Sequence, residues 1–173
     1  MIARRAAPPK VYFAGKITKL CWRHGLVPAL RDHHWALGPI RLAGFTYVGP
    51  FFVACDHGCF HRPASHGALS EGADCSPDHG AERRAVIERC TSAVDDCDIL
   101  FAYIDELECY GTVAEIERAL IGKKYVVIAF APGIVVPGAN EFWFVAERAH
   151  RVELNVRPEE LQQLLTRVLR DWQ

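Results

Sequence analysis

Glu115 stands in the stretch Gly111-Thr112-Val113-Ala114-Glu115-Ile116-Glu117, downstream of the apolar run Ile99-Leu100-Phe101-Ala102-Tyr103-Ile104. A short uninterrupted run of that kind reads as a buried strand, Gly111 as a turn at its carboxyl end, and the residues after it as the first turns of a helix. Open parallel sheets place their chemistry at that end of a strand, so a carboxylate here can be a catalyst. The same residues also satisfy a structural pattern. Thr112-x-x-Glu115 is a capping box, in which the Thr112 hydroxyl accepts from the Glu115 amide and the Glu115 carboxylate accepts from the Thr112 amide. Local pattern alone leaves both roles open.

The elements that would position Glu115 follow from periodicity. Val11-Tyr12-Phe13-Ala14 is a first short strand ending in Gly15-Lys16, and a helix is expected around 22–31. Val86, Ile87, Cys90, Ala93 and Val94 recur at helical spacing within a helix over 81–94. After the strand at 99–104 and a helix at about 113–121, Tyr125-Val126-Val127-Ile128-Ala129-Phe130 is an uninterrupted apolar strand of the parallel-sheet kind. Pro137-Gly138 precedes a helix at about 140–149, and Val152-Glu153-Leu154 makes a final strand. The last helix opens near Pro158 and carries Leu161, Leu164, Leu165, Val168 and Leu169 on one face. Strands alternating with helices predict a three-layer α/β fold, a mainly parallel sheet of about five strands, in one domain spanning 1–173.

Residues 32–80 depart from this regularity, being rich in Gly, Pro, His and Cys. Phe45-Thr46-Tyr47-Val48 and Phe51-Phe52-Val53 can be strands separated by a Gly49-Pro50 turn, and 55–80 shows no usable periodicity. An insertion of this length in a small domain is usually functional.

Composition excludes several classes. With 173 residues, half of them apolar, the chain buries a core without help from disulfides. A formal net charge of −1 argues against a general binder of nucleic acid or membrane surfaces. No apolar run approaches the roughly 18 to 20 residues of a membrane span, and 1–10 lacks a signal-type core, so a cytoplasmic protein is expected. Seven cysteines, an odd number, point to free thiols or metal ligands rather than a disulfide framework.

Three separated segments resemble the nucleoside 2-deoxyribosyltransferase family. Lys10-Val11-Tyr12-Phe13-Ala14-Gly15-Lys16-Ile17 is similar to its first strand and glycine turn. Asp98-Ile99-Leu100-Phe101-Ala102, then Gly111-Thr112-Val113-Ala114-Glu115-Ile116, then Gly122-Lys123-Lys124 are similar to its central strand, nucleophile helix and next strand. The resemblance implies a doubly wound, flavodoxin-like sheet, a homo-oligomer at least dimeric, and cleavage of the N-glycosidic bond of a nucleoside or nucleotide with Glu115 as the catalytic glutamate. A branch of the family hydrolyses nucleoside 5′-monophosphates with the phosphate at the first glycine turn, which here is Gly15, Lys16 and Ile17. Two positions depart from the pattern. Cys109, beside Glu108, replaces an acid six residues before the nucleophile, and Cys90 replaces an aspartate about eight residues before Asp98. Both point to an altered leaving group or substrate.

Such a reaction passes through an oxocarbenium-like state, which a carboxylate near the anomeric carbon stabilises or traps as a glycosyl ester. The leaving base needs a proton or hydrogen bonds, and Asp105, just past the strand, is the best-placed second acid. Asp98 reads as structural, an Asx turn at a strand start, and Cys90 as core. Cys109 and Gly111 with Thr112 flank the expected site, Cys109 as bystander or pocket wall. Arg23, after Trp22, either meets an anionic substrate group or lies on a solvated helix face. Trp143 either stacks on a base or packs in the core, the latter favoured.

In the middle segment, Cys55-Asp56-His57-Gly58-Cys59-Phe60-His61 collects zinc-type ligands, chiefly Cys55, His57, Cys59 and His61. Their spacing fits no usual finger or ribbon, so no metal is the primary expectation. The alternative is a Gly- and His-rich loop closing over substrate, with Asp56 and His57 bonding sugar or phosphate oxygens. Besides the glycosidic enzyme, a catalytically silent nucleotide-binding sensor on the same fold and a zinc-dependent hydrolase are the competing functions. The chain has neither a Gly-x-Gly-x-x-Gly fingerprint nor a Walker loop, so hydride transfer and ATP hydrolysis lack support.

Overall fold

The computed structural model describes residues 7–17, 21–31, 33, 37–51, 83–134 and 141–172. Its strands are β1 (Lys10–Ala14), β2 (Ile40–Arg41), β3 (Thr46–Gly49), β4 (Ile99–Ile104), β5 (Tyr125–Phe130) and β6 (Arg151–Glu153). The helices are α1 (Arg23–Leu26), α2 (Arg83–Asp96), α3 (Tyr110–Ile121), α4 (Trp143–Ala146) and α5 (Leu161–Trp172). They form one sheet in the order β2-β3-β1-β4-β5-β6, parallel except for the antiparallel β2–β3 pair. The sheet therefore has six strands rather than the five expected, because Ile40–Arg41 adds an edge. The five parallel strands run in the order compatible with a flavodoxin-like fold.

Alternation along the central strands divides the core in two. Val11 and Phe13, Phe101 and Tyr103, Val127 and Ala129 pack with Leu26 of α1 and Leu161, Leu164, Leu165 and Val168 of α5. Tyr12 and Ala14, Leu100 and Ala102, Val126 and Ile128 point to the opposite face, against Val94 of α2, Ile116 and Ala119 of α3 and Val145 of α4. Every residue of β4 is buried, as is β1 after Lys10, which is why these strands are continuous apolar runs. Each buried Leu, Ile, Val or Phe contributes about 1.5 to 3 kcal/mol. No helix among the described residues is long and apolar enough to cross a membrane.

Several expected boundaries change. The helix expected over 22–31 is one turn of α1 followed by a 3-10 turn at Pro28–Arg31, since proline lacks the amide that would continue the ladder. The helix expected at 140–149 is only α4 among the described residues. The last helix begins as a 3-10 turn, Pro158–Glu160, before α5. Phe51 lies outside any strand, and 52–80, with Cys55, Asp56, His57, Cys59 and His61, lies outside the described residues.

After β1 the chain adds β3 on one side, then crosses to add β4 on the other. The connections diverge at the carboxyl ends of β1 and β4, where open sheets form a crevice. Gly15 follows one of these strands and Asp105 the other.

Candidate functional site

The largest correction concerns α3. It starts at Tyr110 with Cys109 as N-cap, so Gly111 is its second residue rather than a turn, and Thr112 lies inside the first turn. The expected capping box is absent, because Glu115 is in the second turn, beyond reach of the free amides at the helix start. Its carboxylate instead accepts a hydrogen bond from the Tyr12 hydroxyl, Oη to Oε1 2.5 Å. Tyr12 is fully buried, and its place on β1 aims it at the layer containing α2 and α3.

Glu115 lies in a cleft of about 460 Å³ between these helices, bounded by Val86, Ile87, Cys90, Val94 and Ala114 among others. The helices are tied together by a bidentate Arg118–Asp95 pair, Nε to Oδ1 2.7 Å and Nη2 to Oδ2 2.5 Å. Burial pushes the Glu115 carboxyl up to about 7, against the opposing pull of the Tyr12 hydrogen bond and the Arg23 charge. A carboxyl in this condition changes protonation near neutrality, the range in which acid–base and nucleophilic chemistry operates. Tyr12 remains protonated, its hydroxyl driven well above the ordinary range by burial, then by Glu115 and Cys90.

Cys90 is half-buried at the wall of this cleft rather than wholly in the core, and it borders a second hollow of about 680 Å³ toward Gly49, Pro50 and Phe51. Burial, followed by the Glu115 charge, lifts its thiol to about 11. Tyr12 and Cys90 were not singled out as partners of Glu115 from the sequence. The alternation of β1 already put Tyr12 on one face, but its meeting with Glu115 depends on strand order.

The turn after β1 is organised by Arg23. This residue is fully buried, so neither the solvated face nor the open anion site describes it. Its guanidinium donates to the carbonyls of Phe13 (Nε, 2.9 Å), Gly15 (Nη2, 2.7 Å) and Lys16 (Nη1, 3.1 Å), and stacks 4.6 Å from the Trp22 ring. Gly15 has φ +152°, and a Cβ there would lie 2.6 Å from the Tyr103 carbonyl oxygen, so only glycine fits. Lys16 reaches over the next loop, donating to the Glu108 carbonyl at 3.1 Å and pairing with Glu106 at 3.3 Å. Ile17 is half-buried beside it.

Asp105 is exposed at the exit of β4. Partial burial of its carboxyl, then the Glu106 charge, raises its pKa, while Arg23 and Lys16 oppose. Cys109 is buried, 4% exposed, and belongs to the core layer beneath α3. Burial and then the Asp105 charge hold its thiol up at about 11, the opposite of what a thiolate nucleophile requires. Thr112 is buried, and Gly111 is exposed at the rim of the cleft, where an added Cβ would meet nothing within 4 Å. Trp143 is 62% exposed, edge-on to Phe144 at 5.6 Å, which overturns its expected core packing. Asp98 is at the other end of the sheet, accepting from the Lys10 amide at 2.9 Å.

Thus Glu115, Tyr12 and Cys90 form one group, and Lys16, Asp105, Glu106 and Cys109 form a second, with buried Arg23 acting electrostatically on both. Asp56 and His57 lie outside the described residues. Among the described residues no group of three His, Cys, Asp or Glu side chains could hold a metal ion. No protein-family model matches the chain, and no curated protein matches it.

Proposed function

We propose that the chain is an enzyme that cleaves or exchanges the N-glycosidic bond of a nucleoside, with Glu115 as nucleophile. The observation that carries this reading is the Tyr12–Glu115 hydrogen bond at 2.5 Å in a mostly apolar cleft. Ionised Glu115 would attack the anomeric carbon, and Tyr12 would aim the attacking oxygen by holding its neighbour. The developing positive charge on the sugar ring is then met by a carboxylate that water screens poorly. The resemblance of 10–17 and 98–124 to the nucleoside 2-deoxyribosyltransferase family supports the same assignment and carries with it a homo-oligomer.

The test is chromatographic detection of free base from a panel of nucleosides and nucleotides, comparing the wild type with Glu115→Gln. Release by the wild type that vanishes in the variant is expected, and a second base added to the mixture separates transfer from hydrolysis. A second reading, the silent sensor, is favoured by Cys90 and Cys109, whose high-pKa thiols stand where the resemblance expects acids. It predicts that both proteins bind nucleoside and that neither releases base.

A further inference from the structure

Resting on the glycosidase reading, we infer that Arg118 selects the leaving base by donating to an oxo group on it, so that hypoxanthine, guanine and uracil are preferred to adenine. The placement of its guanidinium leads there. Arg118 follows Glu115 by three residues on α3, so the two side chains share one helix face, with Cβ atoms about 5 to 6 Å apart. Both bound the cleft between α2 and α3. With Glu115 at the anomeric carbon, Arg118 stands within the breadth of one heterocycle from it.

Asp95 sets the orientation of the guanidinium, accepting from Nε at 2.7 Å and from Nη2 at 2.5 Å. A bidentate pair of this kind engages two of the five N–H bonds that an arginine carries and leaves the others to a ligand. Thr91, also at the wall, turns its hydroxyl back to the Ile87 carbonyl at 2.8 Å. Val86, Val94 and Ala114 add apolar surface that suits the faces of a planar ring.

The same pairing selects against an anion. Asp95 already balances the Arg118 charge, so a phosphate at this place would meet the Asp95 carboxylate and, one turn back on α3, that of Glu115. A neutral oxygen accepts from the guanidinium without that repulsion. Adenine presents an amino group where hypoxanthine has its oxygen, and a donor facing a donor makes no bond.

The contact strengthens as the reaction proceeds. The Glu115 carboxylate forms an ester bond to C1′ as the C1′–N bond breaks, and the bonding pair passes to the base nitrogen. It delocalises onto the conjugated oxo oxygen, whose bond from Arg118 becomes charge-assisted at both ends. The base anion takes a proton from water, and the hydroxide so formed cleaves the ester to give free sugar and the Glu115 carboxylate.

The experiment measures base release by wild-type protein from inosine, guanosine, uridine and adenosine, with their 2′-deoxy forms and 5′-monophosphates. Each rate is divided by that compound's spontaneous rate. Inosine should exceed adenosine by at least about tenfold, the worth of a hydrogen bond to a charged group, and Arg118→Met should bring that ratio to within about threefold of unity. Loosening of the α2–α3 tie lowers both rates together and leaves the ratio unmoved, and the wild-type comparison stands without the variant. An adenosine enhancement equal to or above that of inosine, a ratio unchanged in Arg118→Met, or a larger enhancement for the monophosphates would overturn the inference and leave the glycosidase reading standing. No release from any compound would overturn both.

Discussion

The cleft between α2 and α3 and the loop between β4 and α3 both flank α3, yet they enclose charge to different degrees. In the cleft the Glu115 carboxylate lies among mostly apolar described residues, with Thr91 and Arg118 also at the wall, and is held by one buried hydroxyl, and its pKa rises to about 7. On the loop, Glu106 and Glu108 lie open to solvent, the Asp105 carboxyl is only partly buried, and the Lys16 ammonium sits between Glu106 and the loop backbone. A carboxyl is therefore deeply desolvated in one place and largely solvent-facing in the other. The degree of desolvation, rather than the number of acids, sets the two regions apart.

Removing the enclosed carboxylate gives the largest effect. Glu115→Gln should lower base release by roughly 10³-fold or more, as loss of a nucleophile does, whereas Asp105→Asn should cost about tenfold at most. Equal losses in the two steady-state measurements would merge the regions into one site. Next comes the turn that joins them. Gly15→Ala forces a Cβ to within 2.6 Å of the Tyr103 carbonyl oxygen at φ +152°, and should destabilise by about 3 kcal/mol in denaturant titration. A neutral result would mean that the turn moves freely.

Glu115 also leaves a signature in stability. Its folded pKa is raised from 4.5 to about 7, so between those values the native state keeps a proton that the unfolded chain has lost. Stability should fall as pH rises through that window and level off above it, by on the order of 2 to 3 kcal/mol. Glu115→Gln should flatten this slope in urea titrations at pH 4.5 and 7.5, and an unchanged slope would place its origin elsewhere. Tyr12→Phe removes the hydrogen bond that favours the ionised carboxylate. The acidic limb of kcat/KM should move up by about one pH unit, roughly fivefold in rate at pH 7 and about tenfold well below it. That profile is also shaped by the other groups acting on this cluster, Cys90, Tyr47 and Arg23. Least affected is Lys16→Met, whose partly exposed ion pair should change stability by less than about 1 kcal/mol in the same titration.

Strands β4 and β5 were legible to the residue, because burial on both faces leaves an unbroken apolar run with sharp polar ends. The start of α3 was not. Cys109 caps it without a side-chain bond and Gly111 sits in its first turn, so neither the usual cap nor a continuous helical pattern announces it, and Thr112 and Glu115 imitate a later start. Glu115 as a candidate was legible from its position after a buried strand. Its partner was hidden, since Tyr12 precedes it by 103 residues and they meet only once β1 lies beside β4. The burial of Arg23 was hidden for a related reason. The three carbonyls that make its burial tolerable belong to the exit of β1, and nothing in the neighbouring sequence reveals them.

That guanidinium has a kinetic consequence. One side chain from α1 grips the end of a strand, its turn and the residue beyond, so these segments must open together or not at all. Backbone amides of His24, Gly25 and Val27, which bond to Cys21, Trp22 and Arg23 carbonyls, should then exchange with deuterium at rates close to those of β1 rather than those of an isolated helical turn. The mouth of the crevice would be as slow to breathe as the middle of the sheet.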